Sequence, residues 1–175
     1  MRTFLHGCQR VLLLVGLVCL GYYAKVQLDA HLLNLGVDLP VLTGKTAEIV
    51  GRLEIERLGL SAVVLEGADP GALLRGVGHV EGTALPQDPH GNVGIAGHRD
   101  TFFRALADVQ PDDVIEISTA QGLYRYRVDW ARIVAPEDVE VLAPTDEPAL
   151  TLVTCYPFRY VGPAPQRFIV RGTRI

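Results

Sequence analysis

The sequence predicts a mainly β domain, a closed or nearly closed β-barrel of about eight short strands with short helices, preceded by one N-terminal transmembrane helix. Three observations indicate this fold class. Short apolar runs, several of them alternating with polar residues, recur from about residue 49 to the C-terminus. The 18 glycines and 11 prolines separate these runs with turns. A longer apolar run lies near the N-terminus.

The N-terminal apolar run, residues 11–24, lies between Arg10 and Lys25 and contains no charged residue. Basic residues ahead of such a run predict that the N-terminus is cytoplasmic and that the rest of the chain lies outside the membrane. We therefore expect a single-pass protein of the cell membrane whose folded domain is on the extracytoplasmic side.

Two alternatives to an uncleaved anchor remain open. A cleaved signal peptide has an apolar run of similar length, but cleavage after Ala24 would place the large Tyr22 where a small residue is required. A lipoprotein site at Cys19 is less favourable, because the preceding Val18 is bulky. Export of the domain follows from the anchor and from the signal peptide alike.

We expect three segments along the chain. Residues 1–25 form a cytoplasmic tip and a transmembrane anchor, residues 26–47 form a stem and linker, and residues 48–175 form the β-barrel domain. Apolar residues recur in the first part of the stem, as in a partly amphipathic helix, until Gly36 and Pro40 end the pattern.

Within the barrel domain, the expected strands are apolar or β-branched runs bounded by turn residues. They cover residues 51–55, 61–65, 92–96, 114–117, 123–134, 150–154 and 167–175. Residues 69–74 predict a short helix that residues 76–79 break, and residues 136–142 predict a loop with a helical turn. Asp100 is expected to cap another helical turn that runs through Leu106.

The composition excludes some classes of function. The formal charge of −4 and the pI near 5.7, with no basic face, disfavour nucleic-acid binding. Hydrophobic residues make up 49% of the chain, enough to bury a core without disulfides or a structural metal. No cluster of acidic residues indicates a metal site, and no cofactor is expected.

The cysteines differ in where the chain places them. Cys8 and Cys19 belong to the expected tip and anchor, so Cys155 is the lone thiol of the exported domain. Such a thiol is either buried and inert or used in chemistry. It follows the β-branched run of residues 151–154 and precedes Pro157, so it is expected at the end of a strand, where a rigidly held thiol can face a groove.

Among the histidines, His98 ends the predicted strand of residues 92–96, beside Gly97. A histidine in this place is often no more than a surface residue or a cap. His79 follows glycines and could line the same groove, whereas His90 lies in a turn and is expected to be exposed.

Arg167 begins the last predicted strand, after a loop rich in proline and glycine. A loop of this kind can return the chain beside Cys155, where a guanidinium could donate hydrogen bonds to an oxyanion. A salt-bridged arginine on an edge strand is the alternative interpretation.

Together these segments resemble the sortases, and most closely the class D sortases. The segment Leu85 to Phe103 resembles the one that carries the family's catalytic histidine, and Thr151-Leu152-Val153-Thr154-Cys155 matches the family's TLxTC signature. Arg167, within residues 166–170, matches the third catalytic position. The resemblance covers about residues 49–175 and includes the N-terminal anchor.

The resemblance implies a membrane-anchored cysteine transpeptidase that acts on a C-terminal sorting signal similar to Leu-Pro-x-Thr-Gly. Cys155 would attack the threonine carbonyl and form a thioacyl intermediate. His98 would protonate the leaving amine and later deprotonate the incoming one, and Arg167 would stabilise the oxyanion. The acceptor amine would belong to a cell-wall precursor or a pilin lysine.

Thr83, Ala96 and Thr154 are the expected substrate-binding residues of the groove wall. Two other functions remain open. An exported thiol hydrolase would pass the same intermediate to water instead of an amine. A membrane-anchored binding domain would carry Cys155 as an inert thiol.

Overall fold

The computed structural model describes residues 2–34 and 48–175, and the side chains of residues 9–29, 31, 32 and 48–175. The chain separates into two compact units, Met1–Pro40 and Val41–Ile175. The expected linker at residues 36–47 lies outside the described residues.

Within its described residues the first unit forms one helix, α1 (Arg2–Asn34), so most of the expected anchor and the start of the expected stem are continuous. Its segment Gln9–Asp29 has a mean hydropathy of 1.8 and is long and apolar enough to cross a membrane. A signal sequence has the same properties, so α1 is a candidate membrane span by length and composition.

The second unit is a closed barrel of eight strands, which confirms the predicted fold class. The strands are β1 (Ile49–Ile55), β2 (Leu60–Glu66), β3 (Val77–His79), β4 (Asn92–Gly97), β5 (Val114–Thr119), β6 (Gly122–Val134), β7 (Ala149–Tyr156) and β8 (Gln166–Arg174). Around the barrel their order is β1-β2-β3-β4-β7-β8-β6-β5, and β5 closes the ring by pairing with β1. The β2–β3 and β4–β7 pairs are parallel, and the other pairs are antiparallel.

Two local expectations were wrong. Residues 76–79, expected only to break helix α2 (Pro70–Leu73), also form strand β3 between β2 and β4. A glycine is needed in this strand because a side chain at Gly78 would collide with the carbonyl oxygen of Gly67. Asp100 caps no helix, since the turn is a 3-10 helix that begins only at Arg104 and has no side-chain cap.

The barrel interior is a packed core. Its members are fully or almost fully buried apolar side chains, among them Leu53, Ile55, Val64, Ile95, Ile115, Ile117, Leu150, Leu152 and Val170. Residues two apart on a strand share a face. The residues of β4, β7 and β8 that stand between the core residues therefore face the outside of the barrel.

The loop between β6 and β7 lies against this outer surface, fixed by the carbonyl oxygen of Val141. That oxygen accepts hydrogen bonds from Asn92 Nδ2 at 3.1 Å, Thr151 Oγ1 at 3.3 Å and Arg171 Nη2 at 2.7 Å. Burial lowers the pKa of Arg171, as does the nearby Arg132. Three strands therefore hold one point of the loop, which includes the 3-10 turn Val139–Leu142.

Candidate active site

The C-terminal ends of the parallel strands β4 and β7 lie side by side. Gly97 pairs with Thr154, so the residues that follow them, His98 and Cys155, lie at neighbouring strand ends. On the other side of β7, Cys155 pairs directly with Arg167 of β8. The strand register therefore brings the three predicted catalytic residues into one row across β4, β7 and β8.

Cys155 lies on the outer face of the barrel. Leu152, two strand positions along from Leu150, points into the core, and Cys155 is on the opposite face of β7. The thiol is free of disulfides, and Cys155, His98 and Arg167 are all partly exposed. The strand fixes the backbone of Cys155 while its side chain remains accessible.

The backbone around His98 is held by tight packing. A Cβ atom at Gly97 would lie 2.7 Å from Cδ2 of Phe103, a ring that is completely buried. The carbonyl oxygen of His98 accepts hydrogen bonds from the backbone N–H groups of Thr101 at 3.4 Å and Phe103 at 3.1 Å. The chain thus turns immediately after His98, and the buried ring of Phe103 fixes that turn.

The Arg167 guanidinium is bound by two backbone carbonyls just ahead of it. One is in strand β8, and the other is in the loop of residues 157–165, which we call the β7–β8 loop. Arg167 Nη1 donates to the carbonyl oxygens of Gln166 at 3.0 Å and Ala164 at 3.3 Å. No acidic side chain of the described residues forms an ion pair with Arg167. The alternative of a salt-bridged edge arginine is therefore not observed.

Two of the three expected groove residues lie on or over the outer face. Ala96 pairs with Val153, and these two partly exposed apolar residues lie beside the row of Cys155. Val153 pairs in turn with Ile169, which is only 1% exposed. Thr83 lies over β4, where its hydroxyl accepts a hydrogen bond from the N–H of Gly94 at 3.0 Å.

Thr154 does not line the groove, contrary to expectation. It is 1% exposed, and its hydroxyl donates to the carbonyl oxygen of Gly97 at 2.7 Å. The pairing of β7 turns its side chain to the face opposite Cys155. Its contact instead joins the ends of β4 and β7 directly behind the site.

The competing histidines have other partners. His79 is 3% exposed, with Nδ1 3.0 Å from Glu66 Oε2 and Nε2 2.9 Å from the carbonyl oxygen of Ala84. His90 is exposed, and its Nδ1 lies 2.8 Å from the carbonyl oxygen of Asp146. Of these three histidines, only His98 stands at the strand end beside Cys155.

Sequence reasoning missed Arg99, which follows His98 and is 7% exposed. Its guanidinium donates to carbonyl oxygens of the β7–β8 loop, those of Pro157 at 3.0 Å, Tyr160 at 2.9 Å and Gly162 at 3.2 Å. Its one signal in the sequence was its position next to the predicted catalytic histidine.

An aromatic cluster at the start of the β7–β8 loop was also missed. The ring centroid of Phe168 lies 5.2 Å from that of Phe158 and 6.3 Å from that of Tyr156. Phe158 and Phe168 pack against the barrel core, so the cluster extends the core at the end of the barrel next to Cys155. Within the described part of the chain, no group of three or more His, Cys, Asp or Glu side chains is arranged to hold a metal ion.

Comparison with known proteins gives matches to a single kind of domain. Residues 53–175 match the family profile described as a Sortase domain. The chain is 35% identical to Sortase D of Bacillus subtilis over 75% of its own length and 66% of that protein, and 32% identical to Sortase SrtE1 of Streptomyces coelicolor over 60% and 35%. The matched region thus spans less than two thirds of either curated relative.

A solved structure gives the same result for the fold. A Clostridium perfringens Sortase D5 transpeptidase superposes with a TM-score of 0.66 at 31% identity, covering 73% of this chain and 79% of that one. Similarity to a Sortase D and to a Sortase D5 confirms the resemblance to class D that the sequence indicated.

Proposed function

Because this chain belongs to the sortase family, we propose that it is a cysteine transpeptidase that cleaves a C-terminal sorting signal similar to Leu-Pro-x-Thr-Gly and joins the product to an amine. The observation that carries the proposal is the row of His98, Cys155 and Arg167 across three adjacent strands. A nucleophile, a proton donor and an oxyanion donor in one row are the groups that acyl transfer requires.

In the first half of the reaction, the Cys155 thiolate attacks the carbonyl carbon of the signal's threonine. A sulfur–carbon bond forms, and the carbon–nitrogen bond to glycine breaks while protonated His98 gives its proton to the departing amine. In the second half, neutral His98 takes a proton from the acceptor amine, which attacks the thioester and releases Cys155.

Arg167 supports the negative charge that develops on the carbonyl oxygen. A guanidinium has five N–H donors, and the carbonyls of Ala164 and Gln166 are contacted by Nη1 alone. Nε and Nη2 make no hydrogen bond to the described residues, so donors remain for an oxyanion at Cys155. The two backbone contacts would hold the guanidinium plane in place before the substrate arrives.

The partly exposed apolar residues Ala96 and Val153 would bind the leucine and proline side chains of the signal, with Thr83 at one wall. These residues are adjacent to the thiol, and an extended peptide needs a shallow apolar floor with a few polar groups at its edge. The partners are then proteins with such a signal and the acceptor amine, a cell-wall precursor or a pilin lysine.

Helix α1 would tether the enzyme to the cell membrane, with the barrel on the extracytoplasmic side. The support is the apolar segment Gln9–Asp29, in which Arg2 and Arg10 precede the uncharged run of residues 11–24. We keep the division into an anchor at 1–25, a stem at 26–47 and a catalytic domain at 48–175. N-terminal sequencing of membrane-extracted protein should find the first residues intact; a start near Lys25 would instead establish cleavage.

The transpeptidase proposal is tested by trapping the thioester. The full chain in detergent is mixed with a sorting-signal peptide without an amine, and intact-mass spectrometry should show an acyl adduct on wild type and none on Cys155→Ala. Cys19→Ala is the matched control, because Cys19 is a free, exposed thiol in α1 and should leave the adduct unchanged. An adduct on the Cys155→Ala protein would remove Cys155 from the mechanism.

Adding an acceptor amine then separates transpeptidation from hydrolysis. A transpeptidase converts the adduct mostly to the amide, whereas a thiol hydrolase gives the free acid at the same rate with or without the amine.

A further inference from the structure

Arg99 is a buried cation whose hydrogen bonds go to carbonyl oxygens of the β7–β8 loop. Its only ion-pair partner among the described residues is Asp100, at 3.6 Å, and that carboxylate is 70% exposed. An exposed pair of this kind contributes little. Burial of a guanidinium is costly unless its donors are satisfied, and here the three loop carbonyls satisfy them.

The loop is folded around this guanidinium. The carbonyl oxygens of Pro157, Tyr160 and Gly162 converge on it, although they are spread over six consecutive residues. Gly162 has φ 107°, a conformation that a residue with a side chain rarely adopts. The Tyr160 ring adds a cation–π contact, with its centroid 5.7 Å from Cζ of Arg99.

These contacts connect the three members of the proposed site. Arg99 directly follows His98, and its first acceptor, Pro157, is two residues after Cys155. The far end of the same loop supplies the Ala164 carbonyl, one of the two that hold Arg167 Nη1. Without Arg99, three carbonyl groups of the loop would lose their shared donor, and the side chain that joins these three points of the loop would be gone.

We propose that Arg99 is a positioning residue for the transpeptidation reaction, which fixes the β7–β8 loop so that Arg167 is directed at the carbonyl that Cys155 attacks. The inference rests on the function proposed above. Arg99 does not contact the substrate in this proposal. It acts through the loop, so both the geometry of the loop and the rate of the chemical step depend on Arg99.

The experiment compares Arg99→Met, Arg99→Lys and Arg159→Met in the full chain. Methionine keeps much of the length of the side chain but donates no hydrogen bond. Lysine keeps the charge but has a mobile ammonium instead of a planar fork. Arg159→Met is the matched control, because Arg159 is an exposed arginine of the same loop with no hydrogen bond to the described residues.

The first measurement is limited proteolysis by chymotrypsin, which needs no sorting-signal peptide. Tyr160 lies in the loop and is 46% exposed, and cleavage after it requires the loop to open. We expect this cleavage to be about 10-fold faster or more in Arg99→Met, intermediate in Arg99→Lys, and within about twofold of wild type in Arg159→Met. An unchanged cleavage rate in Arg99→Met would overturn the claim that Arg99 fixes the loop.

The second measurement is steady-state kinetics with a sorting-signal peptide and an amine. We expect kcat to fall about 10- to 100-fold in Arg99→Met with KM within about threefold of wild type, since the reacting groups and not the peptide lose their alignment. A freed loop with normal kcat, or a loss confined to KM, would overturn the positioning role.

Arg99→Lys keeps the proposal testable if Arg99→Met does not fold. A lysine variant with wild-type kcat would show that charge alone suffices and would overturn the argument from geometry. If wild type does not turn over the peptide at all, the proposed function fails while the proteolysis result still reports on the loop. The two failures are therefore distinguishable.

Discussion

The strand ends that carry His98 and Cys155 and the loop that leads to Arg167 are held in the barrel by different kinds of contact. Strands β4 and β7 pair in register along six residues, through backbone groups that any sequence possesses. The β7–β8 loop depends on single side chains, chiefly Arg99 and the rings of Phe158 and Phe168.

The strand ends therefore carry the reactive groups, and the loop contacts determine how those groups are oriented. A substitution at a strand end removes a reactive group and leaves the ladder beneath it intact. A substitution at a loop contact leaves the reactive groups in place and alters how they face one another. Activity and stability should therefore respond differently in the two regions, and the following predictions test that separation.

The largest effect is expected at the strand end, from His98→Ala. Loss of a general acid and base should lower kcat/KM by about 10³-fold, within the range usual for such groups. The melting temperature should stay near that of wild type, because the side chain of His98 makes no hydrogen bond to the described residues. Peptide turnover and calorimetry on the same preparation measure both quantities.

His79→Ala is the contrasting variant. His79 is buried against Glu66 and Ala84, so its removal should lower the melting temperature, whereas His90→Ala, at an exposed site, should change neither quantity. A His98→Ala protein with near-normal turnover would show that a group other than His98 is the proton donor.

At the junction of strand and loop, Arg167→Lys should lower activity by about 10²-fold although the charge is kept. A lysine cannot donate to the carbonyls of Ala164 and Gln166 and to an oxyanion in one fixed plane. The loss should fall on kcat if the contact forms in the transition state and on KM if Arg167 mainly binds the peptide. A variant within a few-fold of wild type on both would remove Arg167 from the site.

A smaller effect, on stability, is expected from Gly97→Ala. The new methyl group would lie 2.7 Å from the buried Phe103 ring, and overpacking of this kind costs about 1–3 kcal/mol. Chemical denaturation measures the change. Adding Phe103→Leu should recover part of the loss in the double variant; a double variant whose loss equals the sum of the two single losses would show that the two sites do not interact.

The smallest effect lies outside both regions, at Asp113. The hydrogen bond from Arg57 holds the pKa of Asp113 below its ordinary value, against the opposing effect of desolvation. A carboxyl with a lowered pKa stabilises the fold above its unfolded pKa, about 4, and this contribution is lost as the pH falls toward the folded pKa. Arg57 is nearly half exposed, which keeps the effect modest.

We therefore expect the melting temperature of Asp113→Asn to fall less than that of wild type between pH 7 and about pH 3. Asp112→Asn is the control, because the Asp112 side chain is 86% exposed and lies 3.8 Å from Arg127. Equal acid sensitivity of wild type and Asp113→Asn would show that the Arg57 contact does not contribute.

Much of the fold and site could be predicted from the sequence, because the signals were local. Alternating and β-branched runs locate most strands, since the side chains of a strand alternate between two faces. Cys155, His98 and Arg167 each stand at the end of such a run, within segments that resemble one family. Short contacts between glycine backbones left no such pattern, so strand β3 at Val77–His79 was missed.

Three features were decided only by the tertiary structure. The pairing of β4 with β7 and of β7 with β8 placed His98, Cys155 and Arg167 in one row, and no local pattern contains a pairing between distant segments. The same register turned Thr154 inward, because a side chain's face depends on which strand face meets the core. Arg99 is charged and its sequence context would suit an exposed residue; only the folded loop supplies the carbonyl oxygens that stabilise its burial.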